Sequence, residues 1–542
     1  MKNLFLLIIF INYLFAANPN EIINRQIKDL QEKQIFEQQK SDKQINNKSF
    51  ETNLLNIDED VKEETCINIS AINILDATVF KEDYFQDLIQ PYLNKCNGMK
   101  NLSNLRDKIS NRYIDKGYVT SRAYFKVQDL SAGKIDIFVL EGKIEDIESE
   151  DINVLNLYPN YKNKILNIKD IEVIVKQAQR LQSQNLDIQL LPASQVGYTI
   201  VKITNKSEYK PYYGNVGINN FGREKTGKYQ IYNNFNYENL LGINDILSLN
   251  LNSTNRALKN NDRTLGTSIN YSLPIERFLF DFYYNYSNYK QINFDEFSND
   301  FRSNGANESF GVNSSYNLFQ SLNHSFDLLL NYEKKETRNF LNDTRLDLQS
   351  YSSSSLDFGF KHSFINNSFE YYSKFLAQKG VAAEQDDMAN QEKYYTKYLI
   401  DLGFTKYFDT ENDLKYNLYL RGQHSKDRLS GSDELYMGGV YSVRGFEDEG
   451  LSGNRGFYVR NDVSVKYQIE DITLAPYIGL DYGYVVKDEN NISGKIVGSS
   501  VGSKFYWKNF NLELFYMMPL REAKIIEDEN SKFFGANLVY NY

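Results

Sequence analysis

The sequence is poor in the residues that carry most enzyme and metal chemistry. Its 542 residues include only 3 His, 2 Cys, 1 Trp and 8 Pro. It also lacks a long hydrophobic run, because the longest one, from Leu4 to Phe15, is interrupted at Asn12 and falls short of the about 20 apolar residues that a membrane-spanning helix needs. These absences exclude a transporter built from membrane-spanning helices. We predict no catalytic residues, no metal site and no cofactor.

The chain is also short of positive charge. It has 61 Lys and Arg against 71 Asp and Glu, a net charge of −10. Proteins that bind nucleic acid present basic surfaces to the phosphates, so this balance argues against a nucleic-acid partner.

The first 17 residues resemble an export signal. Lys2 is followed by an apolar stretch and then by Ala16 and Ala17, the order of a secretory signal peptide, so we predict a signal peptide at 1–17. A buried N-terminal strand or an uncleaved anchor is the alternative. Export places the chain in an oxidising compartment, where Cys66 and Cys96 can form a disulfide, although two buried free thiols would also fit the sequence.

The region before residue 210 is mixed in pattern. Residues 18–40 have a helical pattern with a thin apolar stripe, and a solvated helix fits them equally well. Residues 41–64 have the polar composition of a linker. Two small α+β modules follow at 65–142 and 143–206, each with a helix and then two strands. The first module is expected to begin with a strand at 67–74 and to have a helix with Leu102, Leu105, Ile109 and Tyr113 on one face.

From residue 210 to residue 542 the hydrophobic period is two. Phe278, Phe280 and Phe282, for example, alternate with polar residues, and 14% of the whole chain is aromatic. Segments of about ten residues with this alternation, separated by turns, are typical of a transmembrane β-barrel. We count sixteen candidate strands. A soluble β-sandwich would also alternate, but that many strands would leave it with unpaired edges that closure removes.

A long connection at 424–454 carries the most informative motif. It contains Val443, Arg444, Gly445 and Phe446 within a glycine-rich stretch. With Gly117–Ala123 in the first module and Asn220–Gly222 at the start of the barrel, this loop resembles the two-partner secretion transporters, the family of haemolysin activators and filamentous haemagglutinin transporters. The Val-Arg-Gly-Phe core also resembles the wider superfamily of outer-membrane assembly factors.

The resemblance implies a complete architecture and a site. It implies a helix at 18–40 that plugs the pore, two periplasmic POTRA modules and a barrel of 16 antiparallel strands in the outer membrane, with loop 424–454 folded inside. By analogy, Arg444 pairs with Asp481 on the inner wall, and a solvated acid without a specific partner is the alternative. Phe446 replaces a tyrosine that is common in the family. The barrel assembly machinery is expected to read the C-terminal pattern Leu538, Tyr540 and Tyr542, in which Tyr542 replaces the commoner phenylalanine.

The expected function is translocation of a large partner exoprotein, an adhesin or a haemolysin, from the periplasm to the cell surface. The expected partners are that exoprotein, outer-membrane lipid and the assembly machinery. An assembly factor that inserts other barrels is the first alternative, and a diffusion porin would not need the modules. Gly498–Gly502 fits the G-x-S-x-G pattern of hydrolases, but its surroundings continue a strand instead of forming the strand-to-helix turn that a nucleophile requires. A barrel phospholipase with His362 or His424 as its base is therefore the weakest alternative.

Overall fold

The computed structural model describes residues 54–542 apart from 59, 62, 209, 224–225, 255–261, 295–299, 322, 385–393, 411–412, 447–449, 487–492 and 522–531. The predicted signal peptide and the predicted plug helix at 18–40 lie outside the described residues. In the part of the chain that is described, no helix is both long enough and apolar enough to cross a membrane.

The first module packs one long helix against a three-stranded sheet. Its elements are β1 (Ile67–Ile69), β2 (Ala71–Leu75), α1 (Gln86–Ile89), β3 (Lys95–Asn97), α2 (Met99–Asp115), β4 (Arg122–Tyr124) and β5 (Lys134–Leu140), with 3-10 turns at Glu82–Phe85 and Gln90–Tyr92. The sheet has the order β2-β5-β4, and β1 pairs separately with β3.

The strand predicted at 67–74 is two strands in the structure. The chain changes partners at Ser70, whose backbone N–H donates to the carbonyl oxygen of Gly133 at 2.7 Å, while Ile69 accepts from the backbone N–H of Asn94. The periodicity of the sequence continues through this point, and only the change of partner divides the segment.

The buried face of α2 is the predicted one. Leu102, Leu105, Ile109 and Tyr113 are at most 1% exposed and pack against the inward residues of β5. Gly117 adopts a φ of +97°, a conformation that glycine tolerates and that ends the helix. Cys66 and Cys96 form a disulfide with their Cα atoms 5.2 Å apart, beside the pairing of β1 with β3.

The second module has one strand and one helix that the sequence reading missed. It contains β6 (Lys143–Glu148), α3 (Val154–Leu157), α4 (Ile168–Ala178), β7 (Leu186–Pro192) and β8 (Tyr198–Asn205), in a sheet of order β6-β8-β7. Strand β6 is acidic, and its register with β8 shifts between Ile144 and Asp146. That irregularity places Ile144 and Ile147 in the core at a spacing of three, so the period-two signal of a strand is lost.

The described part of the C-terminal domain is a closed barrel of sixteen long antiparallel strands, which confirms the predicted fold class. They are β9 (Tyr212–Asn219), β10 (Gln230–Glu238), β11 (Ile246–Thr254), β12 (Arg263–Ile275), β13 (Phe278–Phe294), β14 (Asp300–Gln320), β15 (His324–Leu341), β17 (Tyr351–Ile365), β18 (Phe369–Glu384), β19 (Thr396–Tyr407), β20 (Lys415–Ser425), β23 (Arg455–Ser464), β25 (Ile472–Val486), β26 (Ser493–Trp507), β27 (Phe510–Arg521) and β28 (Phe533–Asn541). Two short segments, β16 (Thr344–Arg345) and β24 (Tyr467–Ile469), extend hairpins, β21 (Leu435–Met437) and β22 (Leu451–Gly453) lie in the loop after β20, and a 3-10 turn spans Asp347–Gln349.

The barrel closes between its last and first strands. Strand β28 pairs with β9 over five residue pairs, from Asn537 opposite Asn219 to Asn541 opposite Asn215. Gly214 and Tyr542 extend this seam, since each backbone N–H donates to the other residue's carbonyl oxygen, at 3.1 and 3.0 Å. Closure removes the open edges that a sandwich would leave.

The alternation along the strands separates an apolar exterior from a polar interior. In β25, Ile478 is 61% exposed and Leu480 is 54% exposed, whereas Asp481 between Leu480 and Tyr482 is fully buried. Exposed aliphatic side chains that alternate with buried polar ones match a barrel with a lipid-facing outside. Asp481 therefore points into the barrel.

The second module is fixed to one rim of the barrel. The side-chain amide of Asn156 in α3 donates to the carbonyl oxygen of Ile243, in the turn between β10 and β11, at 2.6 Å and to that of Pro274, near the end of β12, at 2.9 Å. Arg277 in the turn before β13 donates to Asp170 of α4 at 2.7 Å. These contacts place the module pair at the end of the barrel opposite the long loop's origin.

Candidate functional site: the loop inside the barrel

The connection between β20 and β23 folds back into the barrel. Its ends pair as a small hairpin, with Leu435 opposite Gly453 and Met437 opposite Leu451. Met437, Val443 and Phe446 are fully buried in a cluster with wall residues that include Tyr458, Val485 and Ile496. Burial of these side chains holds the loop in the lumen instead of leaving it outside.

Arg444, at the tip of this loop, meets Asp481 on the wall. Its Nε donates to Oδ2 of Asp481 at 2.6 Å, and its Nη2 donates to Oδ1 at 2.7 Å. The backbone N–H of Arg444 also donates to Oδ2, at 3.0 Å. The Arg444 side chain is 2% exposed and the Asp481 side chain is fully buried, so this is a bidentate ion pair that is shielded from water.

A second carboxylate, which the sequence analysis did not identify, shares the guanidinium. Asp462 in β23 accepts from Nη1 of Arg444 at 2.6 Å. Asp462 lies opposite Gly479 in the register between β23 and β25, one inward step from Asp481. The sequence shows only that Asp462 is an inward-facing acid on the strand before Asp481. Many lumen residues of a barrel share this property, so it does not single out a partner of Arg444.

Glycines on the wall leave room for the loop. A Cβ added to Gly479 would lie 2.1 Å from Nη2 of Arg444, and one added to Gly498 would lie 1.7 Å from its carbonyl oxygen. Real Cβ contacts are never this short, so a side chain at either position would displace the loop tip. Gly445 has a φ of +95° and lies against the backbone of Met518 and Pro519 in β27. Gly479, two residues before Asp481, thus leaves the space that the guanidinium occupies.

A second ionic contact, also missed from the sequence, holds the start of the loop. Asp433 is 2% exposed, and its Oδ1 lies 3.2 Å from Nζ of Lys335 in β15 and 3.2 Å from Nζ of Lys397 in β19. Ser430 donates to the other carboxylate oxygen at 2.8 Å. Arg444 and Asp433 therefore fasten the loop to different parts of the wall, through charges of opposite sign.

The other predicted positions lie elsewhere. Ser500, in the hydrolase-like pattern, continues β26 and faces Gly479 and Met517 in the neighbouring strands, so it has no strand-to-helix turn. His362 lies beside His324, with ring nitrogens 3.3 Å apart. Leu538, Tyr540 and Tyr542 face outward along β28, each between 41% and 42% exposed.

Comparison with known proteins agrees with this arrangement. Residues 197–505 match the family described as haemolysin secretion/activation protein ShlB/FhaC/HecB, residues 67–142 match the ShlB-type POTRA domain, and residues 141–192 match a second POTRA domain.

Individual relatives cover most of the chain. The outer membrane transporter CdiB of Dickeya dadantii is 27% identical over 452 residues, which cover 81% of this chain and 80% of that protein. The hemolysin transporter HpmB of Proteus mirabilis is 27% identical over 441 residues, covering 80% and 78%. The solved structure of CdiB from Escherichia coli superposes with a TM-score of 0.88 at 24% identity, covering 96% of this chain and 98% of that one, which shows a shared fold. The chain therefore belongs to the haemolysin secretion/activation family, the outer-membrane transporters of two-partner secretion, whose POTRA domains lie in the periplasm.

Proposed function

We propose that this transporter captures one unfolded exoprotein, a large adhesin or haemolysin, in the periplasm and conducts it through the barrel to the cell surface. The observation that carries the proposal is the loop in the lumen, which is fastened to the wall by ion pairs and small apolar contacts. Such contacts can be released and remade without a covalent step. A loop held in this way can move away from the lumen while an unfolded chain passes and can then return to block the lumen.

The two modules supply the capture step in this proposal. Each has a three-stranded sheet with two edge strands, β2 and β4 in the first module and β6 and β7 in the second. An extended chain and a sheet edge satisfy one another's backbone hydrogen bonds, so strand addition at an edge would hold an unfolded exoprotein without reading its sequence closely. The fixed docking of the second module on the barrel rim would deliver the captured chain to the pore entrance.

Conduction would use no nucleotide, metal or covalent chemistry. The polar lumen offers an unfolded backbone hydrogen-bond partners that the surrounding lipid lacks. The energy would come from the exoprotein folding outside the cell. We further propose that the helix at 18–40 plugs the resting pore, that lipid surrounds the outward aromatic residues, and that the assembly machinery reads Leu538, Tyr540 and Tyr542 during insertion.

The direct test is export of a candidate exoprotein, a large adhesin or haemolysin, that is produced in the same cells as this transporter. Cells that produce both proteins should release the exoprotein, and cells without the transporter should retain it in the periplasm. Export at equal levels without the transporter would contradict the proposal. Strict dependence of export on an added nucleotide or metal would contradict the mechanism.

Removal of the modules tests the capture step. A variant without residues 65–206 should still insert as a heat-modifiable barrel but should no longer export the exoprotein. Normal export by this variant would exclude the capture role of the modules. Removal of residues 18–40 should raise the ionic conductance in planar bilayers and leave export nearly intact if that segment plugs the pore.

A further inference from the structure

The segment that enters the first module lies along helix α2 instead of crossing solvent as a free linker. Residues 54–58, 60–61 and 63 follow the helix in the opposite direction, since Leu55 contacts Asn111 near its end and Val61 contacts Asn101 near its start. The polar composition of residues 41–64 predicts a linker. The described end of that linker is bound to the module.

Two asparagines of α2 bind the backbone of this segment as a neighbouring strand would. The backbone N–H of Leu55 donates to Oδ1 of Asn111 at 2.8 Å, and Nδ2 of Asn111 donates to the carbonyl oxygen of Leu55 at 2.9 Å. Asn101 makes the same two bonds with Val61, at 3.0 and 2.8 Å. Each side-chain amide thus satisfies both polar groups of one peptide residue, and this recognition does not depend on the side chain of that residue.

A third asparagine, Asn104, and one lysine, Lys108, complete the face. Asn104 donates to the carbonyl oxygen of Asp58 at 3.1 Å and to the carboxylate of Asp60 at 2.9 Å. Lys108 lies 3.3 Å from that carboxylate. Residues 101, 104, 108 and 111 share one face of the helix because they are spaced by three or four. Asparagine is a poor helix former, so three on one face suggest a purpose other than helix stability.

The start of α2 receives a further acid. Glu63 accepts from the backbone N–H groups of Lys100 and Asn101, at 3.0 and 3.1 Å. Gly98 precedes the helix, and a Cβ there would lie 2.2 Å from the Glu63 carboxyl carbon. Lys100 lies 3.2 Å from Asp58. The face therefore holds an extended chain that carries acids at three positions.

The occupying segment is held by its backbone and its acids, because Leu55 is only partly buried and the other described apolar side chains are exposed. Leu54, Ile57 and Val61 remain 50%, 38% and 42% exposed. Partial burial acts to raise the pKa of Asp60, but the hydrogen bonds from Asn104, Tyr92 and Lys108 outweigh it and hold that pKa below its usual value. The acid is therefore charged at neutral pH. A segment bound without a buried apolar anchor can be exchanged for another extended acidic chain.

We propose that this face of α2 binds an extended, acidic segment of the exported polypeptide, and that residues 54–58, 60–61 and 63 occupy it in the resting transporter. The inference rests on the proposed export function and adds a binding site on the helix, separate from strand addition at the sheet edges. Arrival of the exoprotein would displace the cis segment, which is continuous with the preceding residues of the chain.

The binding test uses full-length purified transporter and a fluorescent peptide that copies residues 53–64. A variant in which residues 54–61 are replaced by Gly-Pro repeats of equal length has prolines at positions 55 and 61, which lack the N–H groups that Asn111 and Asn101 accept from. This variant should bind the peptide, whereas the wild type, whose face is occupied, should bind it about tenfold more weakly. Adding Asn101→Leu and Asn111→Leu to the Gly-Pro variant should weaken binding about tenfold or more. Arg106→Leu is the matched control, because Arg106 lies on a different face of α2 and its side chain contacts Asp107.

Modified peptides separate backbone recognition from side-chain recognition. A peptide N-methylated at the positions of Leu55 and Val61 should lose binding, while one with serine in place of Leu54, Ile57 and Val61 should bind within about threefold of the original. Failure of the copied peptide to bind the Gly-Pro variant would overturn the inference. Equal binding of the N-methylated peptide would also overturn it.

Export by cells connects the face to transport. Asn101→Leu with Asn111→Leu in the otherwise native chain should lower exoprotein release about tenfold, with unchanged amounts of heat-modifiable barrel and unchanged conductance. The milder pair Asn101→Ser with Asn111→Ser guards against misfolding of the module and should lower release in the same direction. Normal release by both double variants would show that the face only anchors the linker. That result would overturn the inference without contradicting the export function. Absence of release by the wild type would instead reject the export function. The peptide measurements would still test whether the face of α2 binds an extended acidic chain.

Discussion

Replacement of Arg444 by alanine removes the cation that joins the loop to two wall carboxylates. Asp481 is fully buried and would keep a charge with no partner, and Asp462 would lose its closest cation. Breaking a buried ion pair on one side costs about 3–5 kcal/mol because the remaining charge is left uncompensated. The equilibrium between the docked and released loop should therefore shift toward release by a factor of roughly 10² or more.

The three-group geometry predicts a ranking of the single variants. Asp481→Ala leaves Arg444 paired with Asp462 at 2.6 Å, so its cost should be nearer the about 1.5–3 kcal/mol of one charged hydrogen-bond set. Asp462→Ala should cost least, about 1 kcal/mol, because its side chain is 25% exposed and the main pair remains. Loop release should thus decrease from Arg444→Ala to Asp481→Ala to Asp462→Ala.

The double variant distinguishes a coupled pair from two independent contacts. Arg444→Ala with Asp481→Ala removes both buried charges, so it should release the loop less than Arg444→Ala alone. Loop release can be measured by protease cleavage within residues 426–454 in proteoliposomes and by single-channel conductance, and export should fall in the same order. We expect all variants to insert as heat-modifiable barrels.

A wall arginine supplies the control. Arg421 lies 3.4 Å from Asp401 on the adjacent strand, and Arg421→Ala should leave the loop protected from protease. Equal cleavage of Arg421→Ala and Arg444→Ala would show that loss of any lumen arginine loosens the barrel. Additive losses in the double variant, or full export by Asp481→Ala, would refute the pairing as the basis of loop control.

Three further predictions concern other parts of the protein. Asp433→Ala should leave two wall lysines without their shared buried acid and raise the frequency of channel openings in bilayers, whereas unchanged gating would exclude a role of this contact in loop closure. Gly479→Ala should reduce export as Asp481→Ala does, because its Cβ would lie 2.1 Å from the loop guanidinium, while Gly403→Ala, with no neighbour within 3.7 Å, should export normally. Cys66→Ser with Cys96→Ser should lower the stability of the first module by roughly 3–4 kcal/mol, measured as a lower urea midpoint for its hydrogen exchange, and an unchanged midpoint would contradict the stabilising role of the disulfide.

The barrel is predictable from the sequence, because a strand has a period of two and a lipid-facing strand must alternate apolar and polar residues along its whole length. Every long strand overlaps a segment predicted from that alternation, and the parity that turned Leu480 outward also turned Asp481 inward. The helix α2 was equally readable, since four apolar residues at helical spacing need a core. Strand β6 was missed because its irregular register removes the period on which such a prediction depends.

The pairs of groups that meet in the site depend on the folded chain and not on local sequence patterns. Nothing in the sequence distinguishes Asp462 and Asp433 from other acids of the lumen and the loop. In the structure, barrel closure and the inward turn of the loop bring their carboxylate oxygens to 2.6–3.2 Å from the side-chain nitrogens of Arg444 and of two lysines. The asparagines of α2 likewise bind the backbone of a segment that is 40 to 56 residues away in the sequence and lies along the helix. Local periodicity reports which way a side chain faces, but it carries no information on what a returning loop or linker will place opposite it.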